Sequence, residues 1–113
     1  MKFSRSMHTK RAIFDYVHTD LWGDAPVTSF GGGKYLLTFV DDFSRKVWVY
    51  ILKSKDETFT RFRQWKAKVE TQTGKKVKYL RSDNGTEFRS GEFENFCRDA
   101  GITRHYTTIG TPQ

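Results

Sequence analysis

Between Val77 and Phe88 the chain reads Val-Lys-Tyr-Leu-Arg-Ser-Asp-Asn-Gly-Thr-Glu-Phe, an extended run that stops on a turn. Val77, Tyr79 and Arg81 alternate with Lys78 and Leu80 at the period of a β-strand. Asp83, Asn84 and Gly85 favour turns and tolerate positive φ. A carboxylate is thereby carried on a stiff strand and presented at its end, open to a ligand or a metal ion. The same residues equally suit an Asx-turn, in which Asp83 only caps its own backbone. What separates the two readings is whether another strand delivers a second acid.

Ile13 to Gly23 is such a segment. Phe14, Tyr16 or Val17, and Thr19 fit a strand, Asp20 stands towards its end, and Gly23 with Pro26 terminates it. Lys34–Asp41 and Arg45–Leu52 are aromatic and β-branched runs whose short polar connection, Asp41-Asp42-Phe43-Ser44, makes them an antiparallel hairpin. Asp41 and Asp42 invite a paired-carboxylate reading, but acids are enriched in turns and that is the role their position favours. The glycines Gly31, Gly32 and Gly33 close a connector from Asp24 and lack the Gly-Lys-Ser/Thr that a phosphate-binding loop requires.

Two helical patterns follow. Ser54 with Glu57 forms a capping box ahead of Phe59, Phe62, Trp65 and Val69, and Gly74 is placed to end that helix. Its other face carries Arg61, Arg63, Lys66 and Lys68, either a solvated basic face or a ridge turned to DNA. Ser90 opens a second helix with the stripe Phe93, Phe96, Cys97 and Ala100, which Gly101 stops. Glu87, Glu92 and Glu94 are easily mistaken for catalytic acids, but Glu92 and Glu94 lie in a first turn, where they favour the helix dipole. Ile102–Thr108 is a fifth strand.

The order β-β-β-α-β-α-β predicts an α/β fold: a ribonuclease-H-like mixed five-stranded sheet with flanking helices. A flavodoxin-like fold would not begin with three strands joined by short loops. The 113 residues suit one small domain. No apolar run approaches the roughly 18 residues of a membrane helix, and Met1-Lys-Phe-Ser-Arg-Ser lacks the apolar core of a signal peptide. The single cysteine, Cys97, excludes an internal disulfide and a cysteine-rich zinc site, and reads as a small buried apolar residue. A net charge of +7 favours polyanionic partners. In a basic protein, acids held at strand ends point to divalent metal beside phosphate.

His18-Thr-Asp20-Leu-Trp-Gly23, Val40-Asp-Asp-Phe-Ser-Arg-Lys-Val-Trp48, Arg81-Ser-Asp83-Asn-Gly-Thr-Glu-Phe88, and Gly101-Ile102 with Thr111-Pro-Gln113 occur in order over nearly the whole chain. Together they resemble the integrase catalytic core of copia-type LTR retrotransposons, a retroviral-type integrase core of the ribonuclease-H-like superfamily. The resemblance implies metal-dependent processing of DNA 3′ ends and their transfer into target DNA. It assigns catalytic and metal-binding roles to Asp20, which would bridge two Mg2+ or Mn2+ ions, and Asp83, which would bind one. Asn84, Lys75, Lys76, Thr111 and Gln113 become candidate nucleic-acid contacts. DNA is the implied partner, homo-oligomers are implied for the full-length protein, and no membrane is involved. For the family, the nucleus or a cytoplasmic virus-like particle is the setting.

The resemblance also implies a third acid, a glutamate on a helix entered after the Thr-Pro-Gln loop, and these 113 residues do not reach it. Residues 13–113 are therefore expected to be a partial core lacking its last catalytic helix, inactive alone. Residues 1–12 are expected to be a basic linker after an absent zinc-binding module, with His8 unpartnered by cysteines. Two other readings stay open: a non-catalytic nucleic-acid-binding transposon remnant, and a ribonuclease-H-type nuclease on the same fold. A nuclease with His18 or His105 as base is disfavoured, because two-metal chemistry needs no histidine.

Overall fold

A computed structural model describes residues 12–23 and 34–108 of the chain. The linker expected over 1–12, apart from Ala12, lies outside these residues, as do the connector from Asp24 to Gly33 and the candidate contacts Thr111 and Gln113.

Among the described residues five strands form one sheet: β1 (Val17–Trp22), β2 (Tyr35–Asp41), β3 (Val47–Leu52), β4 (Tyr79–Asp83) and β5 (Thr103–Thr107). Their order across the sheet is β3-β2-β1-β4-β5. β1, β2 and β3 pair antiparallel, whereas β4 runs parallel to both β1 and β5. The parallel neighbours need crossovers, which α1 (Thr58–Thr73) makes before β4, and α2 (Thr86–Arg89) with α3 (Gly91–Asp99) make before β5. The mixed sheet with flanking helices agrees with the sequence, apart from the short additional helix α2.

Local chemistry accounts for most element ends. Ser54 and Glu57 do form a capping box, but around a 3₁₀ turn, Lys55–Glu57, that leads into α1. Gly74 ends α1 in the left-handed region at φ 75°, where a residue without Cβ pays no steric cost. The Ser90 hydroxyl accepts from the Phe93 N–H and caps α3.

The helices cover one face of the sheet. Strand alternation turns Val17 and Thr19, Leu37 and Phe39, Leu80 and Ser82 to that face, all of them buried. Phe62, Trp65 and Val69 of α1, Phe88 of α2, and Phe93 and Cys97 of α3 close over them. Trp65 stacks on Phe39 with ring centroids 4.3 Å apart and meets Trp48 and Phe14 edge-on. Cys97 is indeed a buried apolar filler, and burial pushes its thiol upward. The opposite face presents His18, Asp20, Arg81 and Asp83, and leaves Trp22, Val47, Val49 and Ile51 about half exposed.

Strand starts lie later than expected, β3 opening at Val47 rather than Arg45, and β1 and β4 show why. Phe14 is not in β1 but stands before it at φ 69°. Such a backbone costs a bulky residue about 1–3 kcal/mol and persists only where its surroundings impose it. Here the Phe14 N–H donates to Asp41 Oδ1 at 2.7 Å, and the ring is enclosed between Trp48 and Trp65. Val77 precedes β4 rather than opening it: it is buried in the core, its N–H donating to Glu70 Oε2, so alternation holds only from Tyr79.

Candidate functional site

The site is built where β1 and β4 lie side by side. Val17 pairs with Leu80 and His18 with Arg81. Asp20 and Asp83 each stand two residues beyond the paired His18 and Arg81, on the face the helices leave open. Neighbouring strands run about 4.8 Å apart, so both carboxylates emerge together at the carboxyl ends of two central parallel strands. Their electrostatics agree with that closeness. The Asp20 residue is exposed, yet its carboxyl group is hemmed in enough that loss of water raises its pKa above 3.8; repulsion by Asp83 adds to this, while His18 and Arg81 oppose it.

Asp83 is an Asx-turn residue and a presented acid at once. Its Oδ1 accepts from the Gly85 N–H at 2.7 Å, fixing one oxygen and leaving the second free of that turn. Gly85 is there for room, not for a positive φ, because its φ is −67°. A Cβ at that position would stand 2.9 Å from Asp83 Oδ1 and 2.6 Å from Glu87 Oε2. None of Asp83, Asn84 and Gly85 adopts a positive φ, so the turn is tighter in contacts than the sequence suggests but ordinary in backbone.

Two open cavities flank the pair. One of about 310 Å3 is lined by His18, Thr19, Asp20, Arg81, Ser82 and Thr107. The other, about 330 Å3, is lined by Asp83, Asn84, Gly85 and Thr108. Thr107 pairs with Asp83 across the parallel β4–β5 ladder, which is how β5 reaches the site. Arg81 was legible as a neighbour, two residues before Asp83 on the same strand face. Thr107 and Thr108 carried no sequence signal, because only the β4–β5 register brings them in.

The other candidates separate. Asn84 adjoins Asp83, and its side-chain oxygen accepts from Arg89 Nη1 at 2.9 Å. Lys75 and Lys76 precede β4 and are exposed at its opposite end, roughly 20 Å from Asp83 at about 3.3 Å per residue. Asp41 is fully buried and accepts from the Phe14 and Ser44 N–H groups at 2.7 Å each, and Asp42 meets His18 Nε2 at 3.2 Å and Arg45 at 3.4 Å. Asp42 is a turn residue, as its position suggested, whereas Asp41 is the last residue of β2 and braces that turn with its side chain. His105 Nδ1 lies 3.1 Å from the Tyr16 hydroxyl. Glu92 and Glu94 sit in the first turn of α3. Glu87 approaches Gly85, but among the described residues no three His, Cys, Asp or Glu side chains gather to hold an ion.

Residues 12–112 match the integrase core domain family. The chain is 50% identical over all 113 residues to the retrovirus-related Pol polyprotein of transposon TNT 1-94 from Nicotiana tabacum, of which it spans 8%. It is 36% identical over 111 residues, 98% of its length, to the Pol polyprotein of transposon RE2 from Arabidopsis thaliana, of which it spans 7%. Among solved structures it resembles the HTLV-2 integrase catalytic core domain in complex with magnesium, with a TM-score of 0.64, 27% identity, 83% of this chain covered and 60% of that one. Sequence, sheet order and the paired acids converge, and the chain belongs to the integrase core domain family.

Proposed function

We propose that this chain carries the two-aspartate part of a metal-dependent site that processes DNA ends and joins them to target DNA. The observation that carries the reading is the placement of Asp20 and Asp83 towards the ends of neighbouring parallel strands, with loss of water and then repulsion by Asp83 raising the Asp20 pKa. Two carboxylates that repel each other beside open cavities offer hard oxygen donors, and these fit Mg2+ or Mn2+. Asp20 would be the ligand shared by two ions and Asp83 a ligand to one. Such ions supply Lewis-acid stabilisation to charge developing on phosphoryl oxygens.

The chain's own residues prepare that chemistry. The Gly85 N–H holds one Asp83 oxygen and so orients the other. Arg81, on the open face beside Asp20, offers positive charge for a phosphate that approaches the acids. Asn84, next to Asp83, is proposed to contact the same DNA. Lys75 and Lys76 would add backbone contacts away from the reacting phosphate, and Thr111 and Gln113 would contribute from the segment after β5. Copies of the core are proposed to assemble, in keeping with the dimeric and trimeric forms of the HTLV-2 domain. With no third acid gathered to the pair among the described residues, the 113 residues alone are proposed to bind metal weakly and not to turn over.

Two titrations test the reading. Calorimetry with Mn2+ should show binding that Asp20→Asn and Asp83→Asn each weaken by tenfold or more, about 1.4 kcal/mol. Duplex DNA should bind with little sequence preference and with affinity falling steeply as salt rises. Mn2+ binding indifferent to both substitutions would refute the site, and a flat salt response would refute the phosphate interface.

A further inference from the structure

Arg104 is an odd residue to find where it is. It lies on the helix-covered side of β5, beside Leu80 in the ladder, with its guanidinium between two rings, 4.7 Å from the centroid of Phe93 and 4.6 Å from that of Tyr106. Its Nε–H is buried and has no partner among the described residues. A methionine or leucine would fill that slot without the cost of desolvating a charge. The guanidinium also lies against the Cys97 thiol, where it opposes the upward push of burial on that group, and its two hydrogen bonds to oxygen are informative. Nη2 donates to Ser82 Oγ at 2.9 Å, and Nη1 donates to the Phe88 carbonyl at 3.2 Å.

Those acceptors bracket the turn that carries Asp83: Ser82 is the residue before it, and Phe88 stands in α2 just beyond Gly85. The bridge continues inward. The Ser82 hydroxyl, accepting from Arg104, donates in turn to the Asp83 carbonyl at 2.9 Å. Thr107 Oγ1, also from β5, donates to the Ser82 carbonyl at 3.4 Å. The peptide planes either side of the Asp83 α-carbon are thus tied to β5, and the far side of the turn is tied to the same guanidinium. A planar fork with fixed donor directions holds these two acceptors with less loss of freedom than a compact ammonium on a flexible stem, whose three donors rotate.

We propose that Arg104 is a positioning residue for Asp83, a clamp across the Asp83–Gly85 turn that fixes the direction of the carboxylate before any cation arrives. The proposal rests on the reading of Asp83 as a metal ligand only for its functional consequence. The clamp itself is a statement about the turn.

The test uses the 113-residue chain with Arg104→Met, Arg104→Lys and Ser82→Ala. The last deletes the relay while keeping the guanidinium. The first readout is hydrogen exchange of the Gly85 amide, whose partner is Asp83 Oδ1, without metal. The second is Mn2+ affinity by calorimetry. Arg104→Met should speed exchange at Gly85 selectively, relative to the amides of the β1–β2 ladder, and should lower Mn2+ affinity by about tenfold, as loss of supporting residues does in metal sites. Ser82→Ala should reproduce both effects in weaker form, and Arg104→Lys should rescue only in part. In an Asp83→Asn background, Arg104→Met should change Mn2+ affinity no further. Gly85 protection unchanged, or lowered evenly with every other amide, overturns the clamp, and Ser82→Ala decides the matter if Arg104→Met does not fold. If the unaltered chain binds no Mn2+ while Gly85 still loosens selectively, the metal reading fails and the clamp stands.

Discussion

Replacing Gly85 by alanine isolates the contribution of backbone room to the acid pair. The backbone at Gly85 is extended, so alanine meets no φ penalty, and the whole effect comes from one methyl group. That methyl would stand 2.9 Å from Asp83 Oδ1, against the 3.4 Å at which such contacts become ordinary, and 2.6 Å from Glu87 Oε2. Glu87 ends a flexible side chain and can swing away at little cost. Asp83 Oδ1 cannot move without stretching its 2.7 Å bond from the Gly85 N–H. The carboxylate must shift by about 0.5 Å, the edge of the tolerance for a functional constellation, and a 1 Å error can cost about a hundredfold. Mn2+ affinity is therefore expected to fall about tenfold, or 1.4 kcal/mol, with a stability loss of no more than about 1 kcal/mol from one weakened hydrogen bond. Gly91→Ala is the control, since a Cβ there meets nothing within 4 Å and the position opens α3, where alanine should stabilise slightly by restricting the unfolded chain, by about 0.4–1 kcal/mol. Calorimetric Mn2+ titrations and thermal melts of the two variants separate the effects. Unchanged Mn2+ binding in Gly85→Ala would refute the view that this turn aims Asp83.

Asp20→Asn should raise the melting temperature at pH 7. Folding holds the Asp20 proton to a higher pH than the unfolded value of 3.8, so ionisation costs stability as pH rises through the raised pKa; the difference from the unaltered chain should vanish below 3.8, and a lower melting point at pH 7 would contradict it. Trp65→Ala removes a fully buried indole stacked on Phe39 and should cost about 3–5 kcal/mol in denaturant unfolding. Asp41→Ala strands the buried Phe14 N–H, releases the more exposed Ser44 N–H to water, and should cost about 1–3 kcal/mol, measured the same way. The half-exposed Trp22, Val47, Val49 and Ile51 should promote association, so sedimentation of Val49→Lys with Ile51→Lys should show a smaller species at equal concentration.

The sequence alone determined which residues are strand and helix where period and punctuation agree. Leu80 between Tyr79 and Arg81, Phe62-Trp65-Val69 at helical spacing, Gly74 and Ser90 at helix ends all act through neighbours a few residues away, so their preferences show in the string itself. It also determined that Asp83 ends a strand, that Asp20 stands towards the end of another, and that Asp42 belongs to a turn. Tertiary structure decided what depends on residues distant in the chain. Phe14 leaves β1 because Asp41 and two tryptophans hold it at a positive φ that its own propensity opposes. Val77 leaves β4 because Glu70 takes its N–H. The approach of Asp20 to Asp83, the arrival of Thr107 beside Asp83, the separation of Lys75 and Lys76 from them, and the clamp of Arg104 all follow from parallel registers. A parallel register is fixed by how the crossover helices pack, not by any local pattern, and that packing is a property of the whole core.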